Sequence, residues 1–177
     1  MTPSSCALMA EYNRWMNGRL YASAATLPEQ RVFEDRGAFF GSLFDTLNHI
    51  AVADAIWLRR FAHHPGHGWL GHAMEAFPNP SSLRQRLAQS LQELSACRER
   101  LDQVIIDFAA QVTEGQLAGT LSYANTAGQA QARRFGSLVQ HFFNHQTHHR
   151  GQATTLLFQM GADVGVTDLL AVIPNEA

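Results

Sequence analysis

Apolar side chains recur at three- and four-residue intervals along most of this chain, and the interruptions of that rhythm divide it into segments. Leu8, Tyr12, Trp15, Met16, Leu20 and Leu27 trace one face of an amphipathic helix. The spacing predicts its end near Pro28, which has no N–H to continue the ladder. A polar stretch with Glu29, Gln30 and Gly37 follows, and then a more thoroughly apolar helix is predicted over 39–61. Segment 63–80 carries Pro65, Gly66, Gly68, Gly71, Pro78 and Pro80, too many breakers for the interior of an element, and reads as a long loop. Ser82-Leu-Arg-Gln85 has the spacing of a capping box and opens a predicted third helix, whose stripe is Leu83, Leu87, Leu91, Leu94, Leu101, Ile105, Phe108 and Val112.

Between 113 and 132 the chain turns to Gly, Ser, Thr, Asn and Gln, with only a few apolar residues such as Leu117, Leu121 and Tyr123. A loop or short hairpin around 125–128 is expected there. The last long helix is predicted over about 133–160, with Gly161 placed to end it. The tail 166–177 carries no strong pattern, and there is no internal repeat or low-complexity segment. The economical architecture is all-α: a single domain over 1–177, a four-helix bundle with long loops between helices two and three and between helices three and four.

Composition narrows the function classes. With 177 residues, 46% hydrophobic and 16% charged, the chain has enough apolar surface for one ordinary globular core. Its net charge of −2 comes from scattered residues that form no basic face, which argues against a nucleic-acid partner. Cys6 and Cys97 stand alone without C-x-x-C spacing, so neither a disulfide framework nor a thiolate zinc site is expected. No signal peptide is visible and no run of about 18 apolar residues occurs, so no membrane span is expected and the cytoplasm is the default compartment.

Four of the nine histidines lie in His141-Phe-Phe-Asn-His145-Gln-Thr-His148-His149. His145 and His149 are four residues apart, so on a helix both imidazoles leave one face and can grip one ion. On a helical wheel they fall within the apolar arc of Leu138, Phe142, Leu156 and Met160, while His141 and His148 fall roughly 60 to 80° aside. Two inward imidazoles need partners, since an unsatisfied buried polar group costs about 1–3 kcal/mol. A metal ion and ordinary hydrogen-bonded packing both remain open on this ground, and two ligands make only half a site. His49, on the second helix, lies off the face of Phe39, Leu43, Leu47, Ile50, Trp57 and Phe61, among Ser42, Asp45, Thr46 and Ala53. By its position alone it reads as an ordinary packed or surface histidine. His63, His64, His67 and His72 fall in the Gly/Pro-rich loop, where solvent exposure and no role are expected. Trp15 and Trp57 read as core.

Tyr12-Asn-Arg-Trp15, Thr46-Leu-Asn-His49-Ile, Asp54-Ala-Ile-Trp57-Leu and Phe143-Asn-His145-Gln-Thr-His148-His149-Arg-Gly-Gln152 together resemble the DinB family of bacterial proteins, over nearly the whole chain. The resemblance implies a four-helix bundle of DinB/YfiT-like type, a homodimer, and one divalent metal ion, zinc or nickel, held by His49, His145 and His149. The wider superfamily includes bacillithiol and mycothiol S-transferases and a mycothiol-dependent isomerase, while the family name records damage-inducible expression rather than chemistry. Three neutral imidazoles leave a fourth position open, the pattern of a catalytic site. Gln146 stands where a His-Glu-x-x-His protease carries its glutamate base, which disfavours peptide hydrolysis. The expected activity is therefore a metal-dependent small-molecule transferase, thiol S-transferase-like, or a hydrolase, with a low-molecular-weight thiol as a candidate cosubstrate. The alternative is a non-catalytic metal-binding stress-response protein. Asp45 is a candidate to orient an imidazole, Arg150 to bind an anionic substrate or bridge subunits, and His148 to shuttle protons or sit on the rim.

Overall fold

The computed structural model describes residues 1–176. Its four long helices are α1 (Pro3–Ala24), α3 (Leu43–Phe61), α5 (Leu91–Gln111) and α7 (Phe135–Gln159). Between them lie the short helices α2 (Glu29–Phe33), α4 (Trp69–Glu75) and α6 (Glu114–Ala118) and two strands, β1 (Thr120–Ala124) and β2 (Ala130–Arg134). The all-α expectation is thus corrected: the chain is mostly helical, with an antiparallel hairpin inserted before α7. α1 packs on α5 and α7, and α3 packs on the same two helices. Among the described residues no helix is long and apolar enough to cross a membrane.

Three of the four long helices, α1, α3 and α5, start where a side chain takes over an orphan N–H. The Thr2 hydroxyl accepts from Ser5 N and the Ser5 hydroxyl from Thr2 N, while Ser42 and Ser90 cap α3 and α5 by accepting from Asp45 N and Glu93 N. α7 follows β2 without an intervening loop and ends at Gly161, whose φ of 80° lets Ala162 N reach Leu157 O and Gly161 N reach Phe158 O.

The third long helix begins at Leu91, not at the capping-box spacing of Ser82 to Gln85. Gln85 instead folds back, its Oε1 accepting from Ser81 N at 2.7 Å and Ser81 Oγ at 2.9 Å. The apolar stripe overran the helix because a buried α3 residue claims the backbone next to it. Asn48 donates to Gln85 O at 2.9 Å and accepts from Leu87 N at 2.8 Å, so residues 83–87 run across α3 as a strap. The segment expected to be a bare loop also contains α4, which buries Leu70 and Met74. Arg59 ties it down by donating to the carbonyls of Met74 and Phe77. The hairpin turns where expected: the Asn125 side chain accepts from Ala127 N and Gln129 N, and Gly128 takes φ 76°.

Phe44, Phe61, Phe108, Phe135, Phe142 and Phe143 fill the core between the long helices. Beside them lies a buried polar network. Arg98 reaches Asp54 at 2.6 Å and Asp102 at 3.1 Å; Asn13 and Asn17 both donate to Asp102 at 2.9 Å, and Arg150 donates to Asn13. Burial pushes the Asp54 carboxyl up to about 6 against the pull of Arg98, and it lowers Arg150 to about 10. Two guanidinium groups and two carboxyls share this interior, the balance that makes buried charge tolerable.

Candidate metal centre

α3 and α7 pack side by side, and near the start of α3 their contact brings His49 against His145 and His149. One ring nitrogen from each lies within 4.8 Å of the other two. Ring centroids are 4.4 Å apart for His145 and His149, 4.7 Å for His49 and His149, and 5.2 Å for His49 and His145. The Nε2 atoms of His49 and His145 are 3.3 Å apart. Two nitrogens bound tetrahedrally to one ion at about 2.0–2.1 Å stand about 3.3–3.4 Å apart, so this pair already spans the edge of such a tetrahedron.

The outer ring nitrogens set the tautomers. His49 Nδ1 lies 3.1 Å from the Leu83 carbonyl and His149 Nδ1 lies 2.8 Å from Gln152 Oε1. Both partners accept, so Nδ1 carries the proton in each ring and Nε2 keeps its lone pair, the form a metal requires. Phe40 stacks on His49 at 3.9 Å and an interplanar angle of 21°, and it meets His149 edge-on at 5.5 Å. Burial lowers the pKa of all three imidazoles, and the neighbouring histidines help take His145 down to about 3. At neutral pH the three rings are uncharged, and the donor set fits a borderline divalent ion such as zinc or nickel.

These imidazoles form part of the wall of a cavity of about 510 Å³, together with Phe39, Phe40, Trp57, Tyr123 and His141. Trp15 and Trp57, expected in the core, both pack against it partly buried, and Trp57 also lines this space. His141 meets Trp57 edge-on at 5.3 Å and lies 5.9 Å from His145, while His148 is exposed, 4.8 Å from His149 and not on the cavity wall.

Two other candidates stand elsewhere. Asp45 reaches no imidazole: its carboxylate takes two hydrogen bonds from Arg86, at 2.8 and 3.0 Å, and one from Ser42 at 2.8 Å. The orienting roles considered for it belong to Leu83 O and Gln152. Arg150 is only 2% exposed, lies over Tyr12 at 5.1 Å and is absent from the cavity wall, so it neither meets a ligand there nor reaches a subunit surface. Gln146 also points inward and is fully buried, so its position differs from that of a base facing the ion.

Among the loop histidines, His63 and His72 are exposed as expected. His64 is instead buried and stacks on Phe135 at 4.2 Å, and His67 is buried between Phe108 and Phe135. Gln152 was visible in the sequence as a polar residue one turn beyond His149, on the same face. Leu83 gave no signal, because its backbone carbonyl does the work.

A helical chain with a three-histidine centre between two long helices is the class that this geometry defines. The DinB family model matches residues 1–176, and the chain belongs to that family. Protein DinB of Bacillus subtilis (strain 168) is 26% identical to it over 160 residues, covering 89% of this chain and 87% of that protein. No solved structure matches it significantly.

Proposed function

We propose that this protein is a metal-dependent enzyme acting on a small molecule, a transferase of the thiol S-transferase kind or a hydrolase, with one zinc or nickel ion held by His49, His145 and His149. The observation that carries this reading is the convergence of three neutral imidazoles on the wall of an open cavity, with no cysteine, aspartate or glutamate joining them among the described residues. Three such ligands leave a coordination position for water or substrate. When bound, the ion supplies Lewis acidity and lowers the pKa of a water or thiol placed there.

The chain's own residues supply orientation and proton handling. Leu83 O and Gln152 fix two ligand rings, and Phe40 covers one face of His49. Burial and the nearby Arg60 lower the pKa of His141, so its ring is neutral near pH 7 and placed to accept a proton at the cavity wall. No carboxylate base lines the cavity, which favours a substrate with an acidic proton of its own, such as a low-molecular-weight thiol, over a peptide. The same reading takes the four long helices as a four-helix bundle that works as a cytoplasmic homodimer.

A non-catalytic metal-binding stress-response protein is the second reading, favoured by one observation: the ligands tie α3 to α7, so an ion there would brace the core. Metal analysis of untagged protein followed by cobalt(II) substitution separates these readings. One ion per chain, lost in His145→Ala, and a cobalt spectrum that shifts on adding a small thiol or azide are expected for the enzyme. A coordination sphere inert to added ligand supports the bracing role. Metal content that is substoichiometric, or unchanged in His145→Ala, refutes both.

A further inference from the structure

The cavity that holds the three imidazoles also holds two guanidinium groups that no carboxylate neutralises. Arg60, in the last turn of α3, lies 4.7 Å over the Trp57 ring and 5.1 Å from that of Tyr123, and it forms no salt bridge among the described residues. Burial presses its pKa below the ordinary value. Arg84 enters from the strap, 5.5 Å over Phe39 and 5.3 Å over Phe40, and donates one hydrogen bond to Phe39 O at 3.1 Å.

Neighbouring arginines are already engaged: Arg59 on the carbonyls of Ala55, Met74 and Phe77, Arg86 on Asp45. An adjoining cavity of about 690 Å³ shares Arg60 and Arg84, and neither space has an aspartate or glutamate on its wall. Two unneutralised cations against aromatic rings, beside a candidate metal centre, form half of a binding site whose missing half is an anion.

We propose that this cavity takes a small molecule with an aromatic or otherwise apolar body and an anionic end, a carboxylate or phosphate, which Arg60 and Arg84 hold while the body lies against Trp57 and Tyr123. A guanidinium presents paired donors that match either anion, and stacking on aromatic rings limits the side-chain freedom lost on binding. The assignment rests on the proposed metal-centre reading only in placing the reacting end of the ligand toward the histidines. Anion capture by the two arginines is independent of the ion.

Calorimetric titration of zinc-loaded and metal-free protein with benzoate, phenyl phosphate and neutral benzamide tests it. At least one of the two anions should bind about tenfold or more tightly than benzamide in both forms, as charge-assisted hydrogen bonds imply. The better of the two identifies the anion. In the R60Q/R84Q double variant the preference should fall to about twofold or less, with zinc still bound at one ion per chain. R84Q alone, an exposed change that leaves the core intact, should remove part of it.

Equal binding of anion and amide by the natural protein overturns the assignment, as does a preference that survives in R60Q/R84Q. A preference seen only with zinc and indifferent to the arginines also overturns it, since it places the anion on the ion. Anion preference in a protein that holds no stoichiometric zinc supports the arginine site while removing the metal-centre reading.

Discussion

Replacing Asn48 with alanine tests whether the strap at 83–87 holds the candidate metal centre in shape. Asn48 is 1% exposed and makes two hydrogen bonds to the strap backbone, at 2.8 and 2.9 Å. Each is worth about 0.5–1.5 kcal/mol net, so their joint loss should cost about 1–3 kcal/mol of stability. For a chain of this size that is a fall in Tm of roughly 2–12 °C. The strap also carries the Leu83 carbonyl that orients His49, and removing the outer partner of a metal-binding histidine typically costs about 10–100-fold in affinity.

Zinc affinity measured by competition with a chromophoric chelator should therefore fall about tenfold in Asn48→Ala, alongside the stability loss in urea melts of the metal-free protein. Arg86→Ala serves as the comparison, because it removes the exposed ion pair to Asp45 and the stacking on Phe33 and Phe44 but leaves both Asn48 hydrogen bonds, and it should cost about 1–2 kcal/mol at most with zinc affinity kept. Unchanged zinc affinity in an Asn48→Ala protein that is measurably destabilised would refute the link between strap and site.

Three further outcomes follow from the geometry. Gln152→Leu should weaken zinc binding about 10–100-fold, read by the same competition assay, with little change in the melt of the metal-free protein, since Gln152 lies at the edge of the core. His145 has a folded pKa of about 3 against an ordinary 6.5, so its contribution to the stability of the metal-free protein is fully present above pH 6.5 and is lost as pH falls toward 3. The slope is at most about 1.4 kcal/mol per pH unit; urea melts from pH 7 to 4 should show it in the natural chain and a shallower fall in His145→Ala, and parallel curves would disprove it. Arg98→Met should cost about 3–5 kcal/mol in chemical denaturation, because it strands Asp54 and Asp102 in the core; a loss below about 1 kcal/mol would mean that the network is not electrostatically coupled.

The long helices and the hairpin turn were legible because their signals are local: periodicity for the helices, Asn125 to Gly128 for the turn, Gly161 for the end of α7. The start of α5 was not, since Leu83 and Leu87 continue the apolar rhythm while a distant asparagine takes the strap backbone out of the helix. Spacing paired His145 with His149 and made one ion possible, and His149 is buried as the wheel placed it, but His145 was set too deep. His145 is half-buried at the edge of the core, and Gln146 and Arg150 occupy the interior instead. A hydrophobicity wheel treats such polar residues as outward, whereas partners such as Asn13 let Arg150 point in. Within its own helix His49 looked unremarkable and only the family resemblance singled it out; the packing of α3 on α7 sets it beside the pair, a distance no pattern within either helix encodes. His64 and His67 were misjudged because breakers in their segment said nothing of the aromatic rings that cover them.

His49 and His145 stand 96 residues apart in the chain yet place their Nε2 atoms in contact. An ion shared between them would act topologically as a cross-link, closing a loop that takes in the strap, α4, α5 and the hairpin. Because the entropy of loop closure grows with the logarithm of length, so wide a clip restricts the unfolded chain more than a local one does. Gaining or losing the ion would then be felt at the hairpin and along α5, far from any ligand, as a change in how readily those segments open.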